Sequence, residues 1–338
     1  MNPVFADELE GFLDLAAAGR PRPAIAKALG LLDAGNSVED LIVGLLAPTQ
    51  REVGLRWQAH RWNIAQEHAA TAVIDGVLGA IALHTATPSP ERGAIVVSCV
   101  EEEYHSLPAR MGAERLRADG WDVTFLGASV PAHDLQVFAA SAQVDAAVLS
   151  CTVPLFLPGA TRAIAALADL GIPAVAAGAG FGDTPRRAAR LGASGWIGPA
   201  SDPSAVLSGL AAAVTGLSPE RDEEAVQLEL HADELRDSAM DEMSRRIPAM
   251  SGYSAQQLTR TREDLAYILR YLGSALDLDE PSMFEDFVAW LSEVLAARGV
   301  PAAVLDASLE IVAEVVRGSG LVRAAGICTS GRLVLAGT

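Results

Sequence analysis

The sequence predicts a multidomain chain with a doubly wound α/β domain between two all-helical ones, and three observations predict it. Apolar residues at three- and four-residue spacing run from Pro3 to about His84. From Gly93 to about Gly216, apolar runs of strand length alternate with helical segments. Beyond Glu224 the helical spacing returns. Strict alternation of strand and helix means a parallel sheet whose carboxyl edge carries the ligand site. The predicted domains are 1–90, 91–216 and 217–338.

In the first domain Phe5, Leu9, Phe12, Leu13 and Ala16 form one apolar stripe, and Ile25, Ala28, Leu29 and Leu32 form a second after Pro21 and Pro23. Asn36-Ser37 starts a third helix that runs through Leu41, Leu45 and Val53 to about Trp57, and Asn63 with Gln66 forms a capping box opening the fourth. Short connections between four helices predict an antiparallel four-helix bundle. Pro88-Ser89-Pro90 reads as a linker. Strands are predicted at Ala94 to Cys99, Asp122 to Leu126, Ala146 to Cys151, Ala174 to Ala177 and Trp196-Ile197. Helices separate or follow them at Ala109 to Ala118, His133 to Ala142, Gly159 to Leu170, Thr184 to Leu191 and Pro203 to Val214. The acidic, proline-bearing stretch Leu217 to Glu224 sets the next boundary. Helices follow at Val226 to Ile247, Ser254 to Leu276, Pro281 to Arg298 and Ala302 to Arg317, and Gly326 to Thr338 reads as a glycine-punctuated tail.

Composition removes several classes of function. The 338 residues are half hydrophobic, enough for more than one core. A net charge of -18 with Lys27 as the sole lysine argues against nucleic acid as a direct partner, since phosphate binding needs clustered cations. Ala69 to His84 and Ala205 to Val214 are too short, or too interrupted by charge and glycine, to span a bilayer. The first eight residues lack the basic start and apolar core of a signal peptide, which makes a cytoplasmic location the expectation. Cys99, Cys151 and Cys328 have no Cys-x-x-Cys spacing and are expected to be buried as small hydrophobes. No catalytic constellation stands out, so the chain is not expected to be an enzyme.

The stretch Glu103-Tyr104-His105-Ser106-Leu107-Pro108 follows the first strand and puts an imidazole on the loop above the sheet. Glu103 is placed to hold the far ring nitrogen, fixing the tautomer and raising ligand basicity. A lone histidine on such a loop is more often an ordinary satisfied residue. The other strand ends carry Ser150-Cys151-Thr152, Gly178-Ala179-Gly180-Phe181 and Leu191-Gly192-Ala193-Ser194-Gly195. In order and spacing these resemble the flavodoxin-like, Rossmann-type cobalamin-binding domains. The resemblance implies that His105 is the lower cobalt ligand in place of the cofactor's own base, with Ser106 and Leu107 beside it. It also implies that Ser150 and Thr152 receive the base of the nucleotide tail, and that Gly178 and Gly180 let the backbone come close. Two departures are Pro108, where the family has glycine, and Ala179, in place of a second glycine.

Upstream, Trp57 and the segment Ile64-Ala65-Gln66-Glu67-His68 lie on successive predicted helices. By periodicity alone they read as a core aromatic and a polar helix face. Their arrangement resembles CarH-type cobalamin photoreceptors, which implies that Trp57 caps an upper ligand such as 5′-deoxyadenosine and that Ile64, Glu67 and His68 line the same pocket. Members of that family that bind DNA carry a histidine directly after the Trp. Gln58 stands there, His60 is the nearest substitute, and the sequence starts in the bundle, so bis-histidine ligation and operator release are not implied.

Arg260, Arg262, Asp264, Tyr267, Arg270 and Tyr271 fall on one long C-terminal helix, with Phe284, Phe287, Trp290 and Leu291 on the next. These also suit an ordinary amphipathic bundle. The order of bundle, cobalamin domain and globin-like or phycobiliprotein-like helical domain resembles the photocobilins. That resemblance implies biliverdin or another bilin, with Arg260, Arg262 and Arg270 on its propionates and Tyr267, Tyr271 and Trp290 against its rings. Cys328 is the one thiol of the region, and non-covalent binding is favoured. The expected function is a light sensor binding adenosylcobalamin and a linear tetrapyrrole and signalling to a downstream protein, with a homo-oligomer left open. The alternative is a corrinoid carrier of a methyltransferase system.

Overall fold

A computed structural model of the chain describes residues 5–85, 91–210 and 221–335. The Pro88-Ser89-Pro90 linker, the end of the predicted helix beyond Leu210 and the boundary stretch before Arg221 lie outside the described residues. The chain divides into two compact units, Met1–Ser218 and Pro219–Thr338.

The first unit opens with α1 (Ala6–Ala17), α2 (Pro21–Asp33), α3 (Val38–Leu41), α4 (Ala47–Gln58) and α5 (Ile64–His84). Capping boxes start α3 at Ser37 and α5 at Asn63, where Gln66 donates its N–H to the Asn63 side chain at 3.0 Å. The third predicted helix is not uniform. A π-helical turn, Ile42–Leu46, joins α3 to α4, with the Ala47 N–H donating to the Ile42 carbonyl. Pro48 explains it, because proline has no N–H for the Gly44 carbonyl and its ring displaces the preceding turn. Gly44 itself lies under the Phe5 ring, which leaves no room for a Cβ. Phe5, Phe12, Leu41, Leu45, Leu46, Ile74 and Leu78 form the fully buried centre of this bundle.

The same unit continues with β1 (Ala94–Cys99), α6 (Ser106–Ala118), β2 (Asp122–Gly127), α7 (Ala132–Ala142), β3 (Ala146–Ser150), α8 (Leu157–Ala168), β4 (Ala174–Ala177), α9 (Arg186–Arg190), β5 (Gly195–Ile197) and α10 (Pro203–Ser208). All strand pairs are parallel, in the order β2-β1-β3-β4-β5. This is the flavodoxin-like order, and its direction reverses between β1 and β3, where open α/β sheets bind ligands. Helix α6 begins earlier than predicted, so Pro108 is its third residue. A proline is harmless there because the first N–H groups of a helix have no intrahelical acceptor.

Two faces of α6 serve two cores. Leu107 and Met111 are buried in the bundle core, whereas Ala109, Ala113 and Leu116 pack against Ile95, Val97 and Cys99 of β1. Ion pairs tie the same helix to the bundle: Arg110 to Asp75 at 2.5 Å, and Arg115 to Glu39. The residue that precedes this shared helix is His105.

The second unit contains α11 (Glu223–Leu230), α12 (Ala232–Arg246), α13 (Ala255–Asp277), α14 (Pro281–Ala297), α15 (Ala302–Gly318) and α16 (Val322–Leu335). Two predictions are corrected. The single helix expected from Val226 to Ile247 is interrupted at His231, and the expected tail is α16 up to Leu335. Glycine inside a helix costs about 1 kcal/mol relative to alanine, and packing offsets it: Gly331 sits against the Phe284 ring and Val288, where a Cβ has no space. No helix among the described residues is long and apolar enough to cross a membrane.

Candidate functional site

The loop after β1 is built around one carboxylate. Glu103 is fully buried, yet its oxygens accept four hydrogen bonds: from the His105 N–H at 2.8 Å and Nδ1 at 2.6 Å, and from the N–H groups of Thr152 at 2.7 Å and Val153 at 3.0 Å. Burial alone would raise the Glu103 pKa; the His105 bonds and charge and the Val153 N–H outweigh it and leave the carboxyl below its ordinary value. The His105 pKa is raised, first by its bond to Glu103, against desolvation, with the Glu103 and Glu67 charges adding to the rise. With Glu103 ionised, Nδ1 is the donor, which leaves the lone pair on Nε2. The His105 side chain is 60% exposed, so that nitrogen belongs to a ring open to a ligand.

Glu103 links the loop after β1 to the loop after β3, the two that flank the reversal point of the sheet. Glu102 takes a left-handed conformation (φ 66) and donates its N–H to the Ser129 hydroxyl at 3.0 Å, anchoring the loop after β2 as well. Ser150 is buried at the end of β3, and the buried Thr152 hydroxyl has no hydrogen-bond partner among the described residues. Ser98 Oγ and Trp196 Nε1 are in the same state, but Ser98 and Trp196 fall in one cross-strand row through Leu149 and Ala176, within the sheet rather than on the loop that Glu103 grips. Among the described residues no group of three or more His, Cys, Asp or Glu could hold a metal ion. A metal at His105 must therefore bring other donors with it, as a macrocycle does. The exposed imidazole and the orphaned Thr152 hydroxyl fit cobalamin.

Other predicted residues have placements that qualify their expected roles. Ser106 is half-buried as the first residue of α6, and Leu107 lies in the bundle core. Gly178 has φ 97, and a Cβ on it would collide with the Cys151 carbonyl; one on Gly180 would lie 2.9 Å from both that oxygen and Cys151 Sγ. Close packing of two protein loops thus already requires glycine at both positions. Ala179 is exposed, so its methyl group meets no such crowding.

On the bundle side, Glu67 pairs with His68 Nδ1 through one oxygen and accepts from the Thr71 hydroxyl at 3.0 Å through the other. Gln50 of α4 donates to that hydroxyl at 3.1 Å. Ile64 is exposed as the first residue of α5, and Trp57 is half-buried near the end of α4. Two aromatics escaped the sequence reading. Trp62 packs partly against the bundle core with Arg56 5.2 Å above its ring, and Tyr104, inside the motif itself, is 73% exposed.

In the second unit Arg260 pairs with Glu263 at 2.8 Å, Arg262 lies 3.6 Å from Asp237, and half-buried Arg270 has a partner of its own. Tyr271 is a core residue stacked on Phe287 at 3.8 Å, whereas Tyr267 and Trp290 are exposed. Burial, with Glu263 adding and Arg260 and Arg298 opposing, pushes the Asp264 carboxyl up to about 6. Cys328 is buried, its thiol donates to the Leu309 carbonyl at 3.2 Å, and desolvation pushes it up to about 12, so it offers no thiolate for a covalent link.

Comparison with known proteins agrees with the geometry. Residues 93–208 match a family described as B12 binding domain, and residues 8–82 match a second family with the same description. Cobalamin binding is supported. The HTH-type transcriptional repressor CarH of Myxococcus xanthus is 38% identical over 91 residues, 27% of this chain and 30% of that protein. The HTH-type transcriptional repressor CarA of the same organism is 31% identical over 113 residues, 33% of this chain and 37% of that protein. The chain thus spans only about a third of the length of these curated relatives. The solved monomethylamine corrinoid protein of Methanosarcina barkeri shares the fold, with a TM-score of 0.51 at 16% identity over 61% of this chain and 97% of that one. Both curated relatives are named as transcriptional repressors, so the charge-based expectation that nucleic acid is not a direct partner finds no support in them.

Proposed function

We propose that this chain is a cobalamin-dependent light sensor that holds adenosylcobalamin between His105 below and Trp57, Glu67 and His68 above. The observation that carries the reading is the union of bundle and α/β region in one compact unit, with Glu103-held His105 at the head of the helix they share. When bound, adenosylcobalamin supplies a cobalt–carbon bond that light breaks. His105 Nε2 would give the lower donor, with Glu103 orienting it; Ser150 and Thr152 would line the tail pocket, and Trp57 would cover the upper group. If that group were lost, the space left beside Trp57 would be poorly tolerated by a packed interior, and α6, buried in both cores, would carry the shift between bundle and sheet.

The second unit is proposed as a globin-like bilin domain. Exposed Tyr267 and Trp290 would face the rings, Asp264 would meet the pyrrole N–H groups, and Arg260, Arg262 or Arg270 would exchange present partners for propionates. The output runs through a downstream partner, with protein and DNA both to be tried.

Absorption spectra of the full chain with adenosylcobalamin and biliverdin supplied, in the dark and after green and red light, test the reading. A His-ligated spectrum that changes under green light is expected, with a separate far-red band. Equal retention of methyl- and adenosylcobalamin without a lasting light response would replace the sensor with the corrinoid carrier, and a colourless second unit would remove the bilin.

A further inference from the structure

We propose that Ser129, in the loop after β2, is a positioning residue for His105: its hydroxyl holds Glu102 in the left-handed conformation from which the chain enters Glu103 and His105. The inference rests on the reading above only in taking His105 as the lower donor, and needs neither light nor an adenosyl group.

Five non-glycine residues among the described ones have a left-handed backbone: His60 (φ 54), Glu102 (φ 66), Ser129 (φ 51), Gln143 (φ 53) and Asp279 (φ 50). His60, Gln143 and Asp279 sit at or just past the ends of α4, α7 and α13, where such a residue ordinarily closes a helix. Glu102 and Ser129 close none. They stand in the loops after β1 and β2 and are hydrogen-bonded to each other. A left-handed backbone crowds Cβ against the following carbonyl oxygen, so it persists where neighbours fix it, and it collects at ligand sites.

Ser129 brackets the Glu102-Glu103 dipeptide. Its hydroxyl accepts the Glu102 N–H at 3.0 Å, and its own N–H donates to the Glu103 carbonyl at 2.9 Å. Val130 continues the pairing, donating to the Cys99 carbonyl at 3.2 Å. Strand β1 lies between β2 and β3, so the loop after it is held from both neighbours. The loop after β3 takes the Glu103 side chain through Thr152 and Val153, Arg162 of α8 pairs with Glu101 at 2.7 Å, and Ser129 sets the backbone between them. Only one of the two Ser129 bonds uses the side chain. Glu102 is exposed and Ser129 half-buried, so without the hydroxyl water satisfies the freed N–H. The fold therefore loses little, and the fixed turn that aims His105 is what goes.

The test is the full chain loaded with methylcobalamin in the dark and freed of excess by gel filtration, since absorbance separates nitrogen-ligated from nitrogen-free methylcobalamin. The wild type should be nitrogen-ligated. Ser129→Ala should keep the urea midpoint of the cofactor-free chain, yet show a nitrogen-free fraction and release cobalamin roughly threefold to tenfold faster. Ser129→Asn keeps an acceptor on a residue that tolerates the left-handed region and should return close to wild type; Ser129→Thr, with its branched Cβ, should not. In the cofactor-free chain, amide exchange at Glu103 to His105 should quicken in Ser129→Ala while the strands stay protected. Ligation and release unchanged in Ser129→Ala, or a urea midpoint that falls in step with them, would overturn the role of Ser129. His105→Ala separates the two readings: nitrogen ligation that persists there sinks the ligand assignment and this inference with it, whereas ligation lost there but intact in Ser129→Ala sinks this inference alone.

Discussion

The buried carboxylate of Glu103 holds Nδ1 of His105 at 2.6 Å with one oxygen and takes the N–H groups of Thr152 and Val153 with the other. Two loops that leave different strands are thus fixed through a single side chain. Its loss should be felt in the cofactor-free protein as well as at the metal.

Glu103→Ala leaves the backbone N–H groups of His105, Thr152 and Val153 without an acceptor, and the apo protein should lose about 3 kcal/mol in urea unfolding. Glu103→Gln keeps one acceptor oxygen but turns an NH2 toward a pair of N–H donors, so it should still destabilise, by about 1–3 kcal/mol, and weaken cobalamin retention roughly tenfold or more, because a neutral amide no longer strengthens the imidazole as a donor. Equal stability of the Ala variant and the wild type would contradict the buried network.

Met111 lies on α6 but is buried in the bundle core. Met111→Ala should destabilise the first unit by about 3 kcal/mol. As α6 begins directly after His105, the same variant should also release cobalamin faster, whereas a core change far from α6, such as Phe284→Leu in the second unit, should not. Dissociation rates followed by absorbance separate the two outcomes.

Periodicity made the main elements legible because burial dictates it. The strand runs Ala94 to Cys99 and Ala174 to Ala177 and the Asn63 capping box stand as read. What stayed hidden depends on partners distant in sequence. The α16 helix was masked by Gly326 and Gly331, and only the packing of Gly331 on Phe284 shows why a glycine belongs there. Likewise the third predicted helix runs straight through Pro48, and the π-turn that this proline brings appears only in the structure. At the site, Glu103 and His105 could be paired from spacing alone. The grip of Glu103 on Thr152 and Val153 could not, since it joins residues 49 and 50 positions apart.

All three thiols should be silent in the native protein. Cys99 and Cys328 are buried with pKa values pushed up to about 12, and burial lifts Cys151 well above its ordinary value. The thiolate is the reactive form, so labelling with a disulfide reagent at pH 8 should give no fast reaction before unfolding and three equivalents after it. Rapid native labelling at Cys328 would reopen a covalent bilin link.

Asp264 should make the second unit less stable as pH rises. Desolvation is the first cause of its elevated carboxyl pKa, the neighbouring Glu263 charge adds to it, and Arg260 and Arg298 only partly oppose it, leaving a folded value of about 6 against 3.8 for the free group. Between these two values the folded chain holds a proton that the unfolded chain has released. Stability is therefore greatest below about pH 3.8 as far as this group is concerned, falls through the window, and carries the full penalty above about pH 6. The full shift corresponds to about 3 kcal/mol, and partial solvent contact reduces the expected effect to roughly 1–2 kcal/mol. Asp264→Asn removes the titration while keeping the shape. Relative to wild type, the variant should gain that amount at pH 8 and almost nothing at about pH 3, measured by urea unfolding at each pH. A gain of the same size at both values would mean that packing, and not the charge, sets the difference.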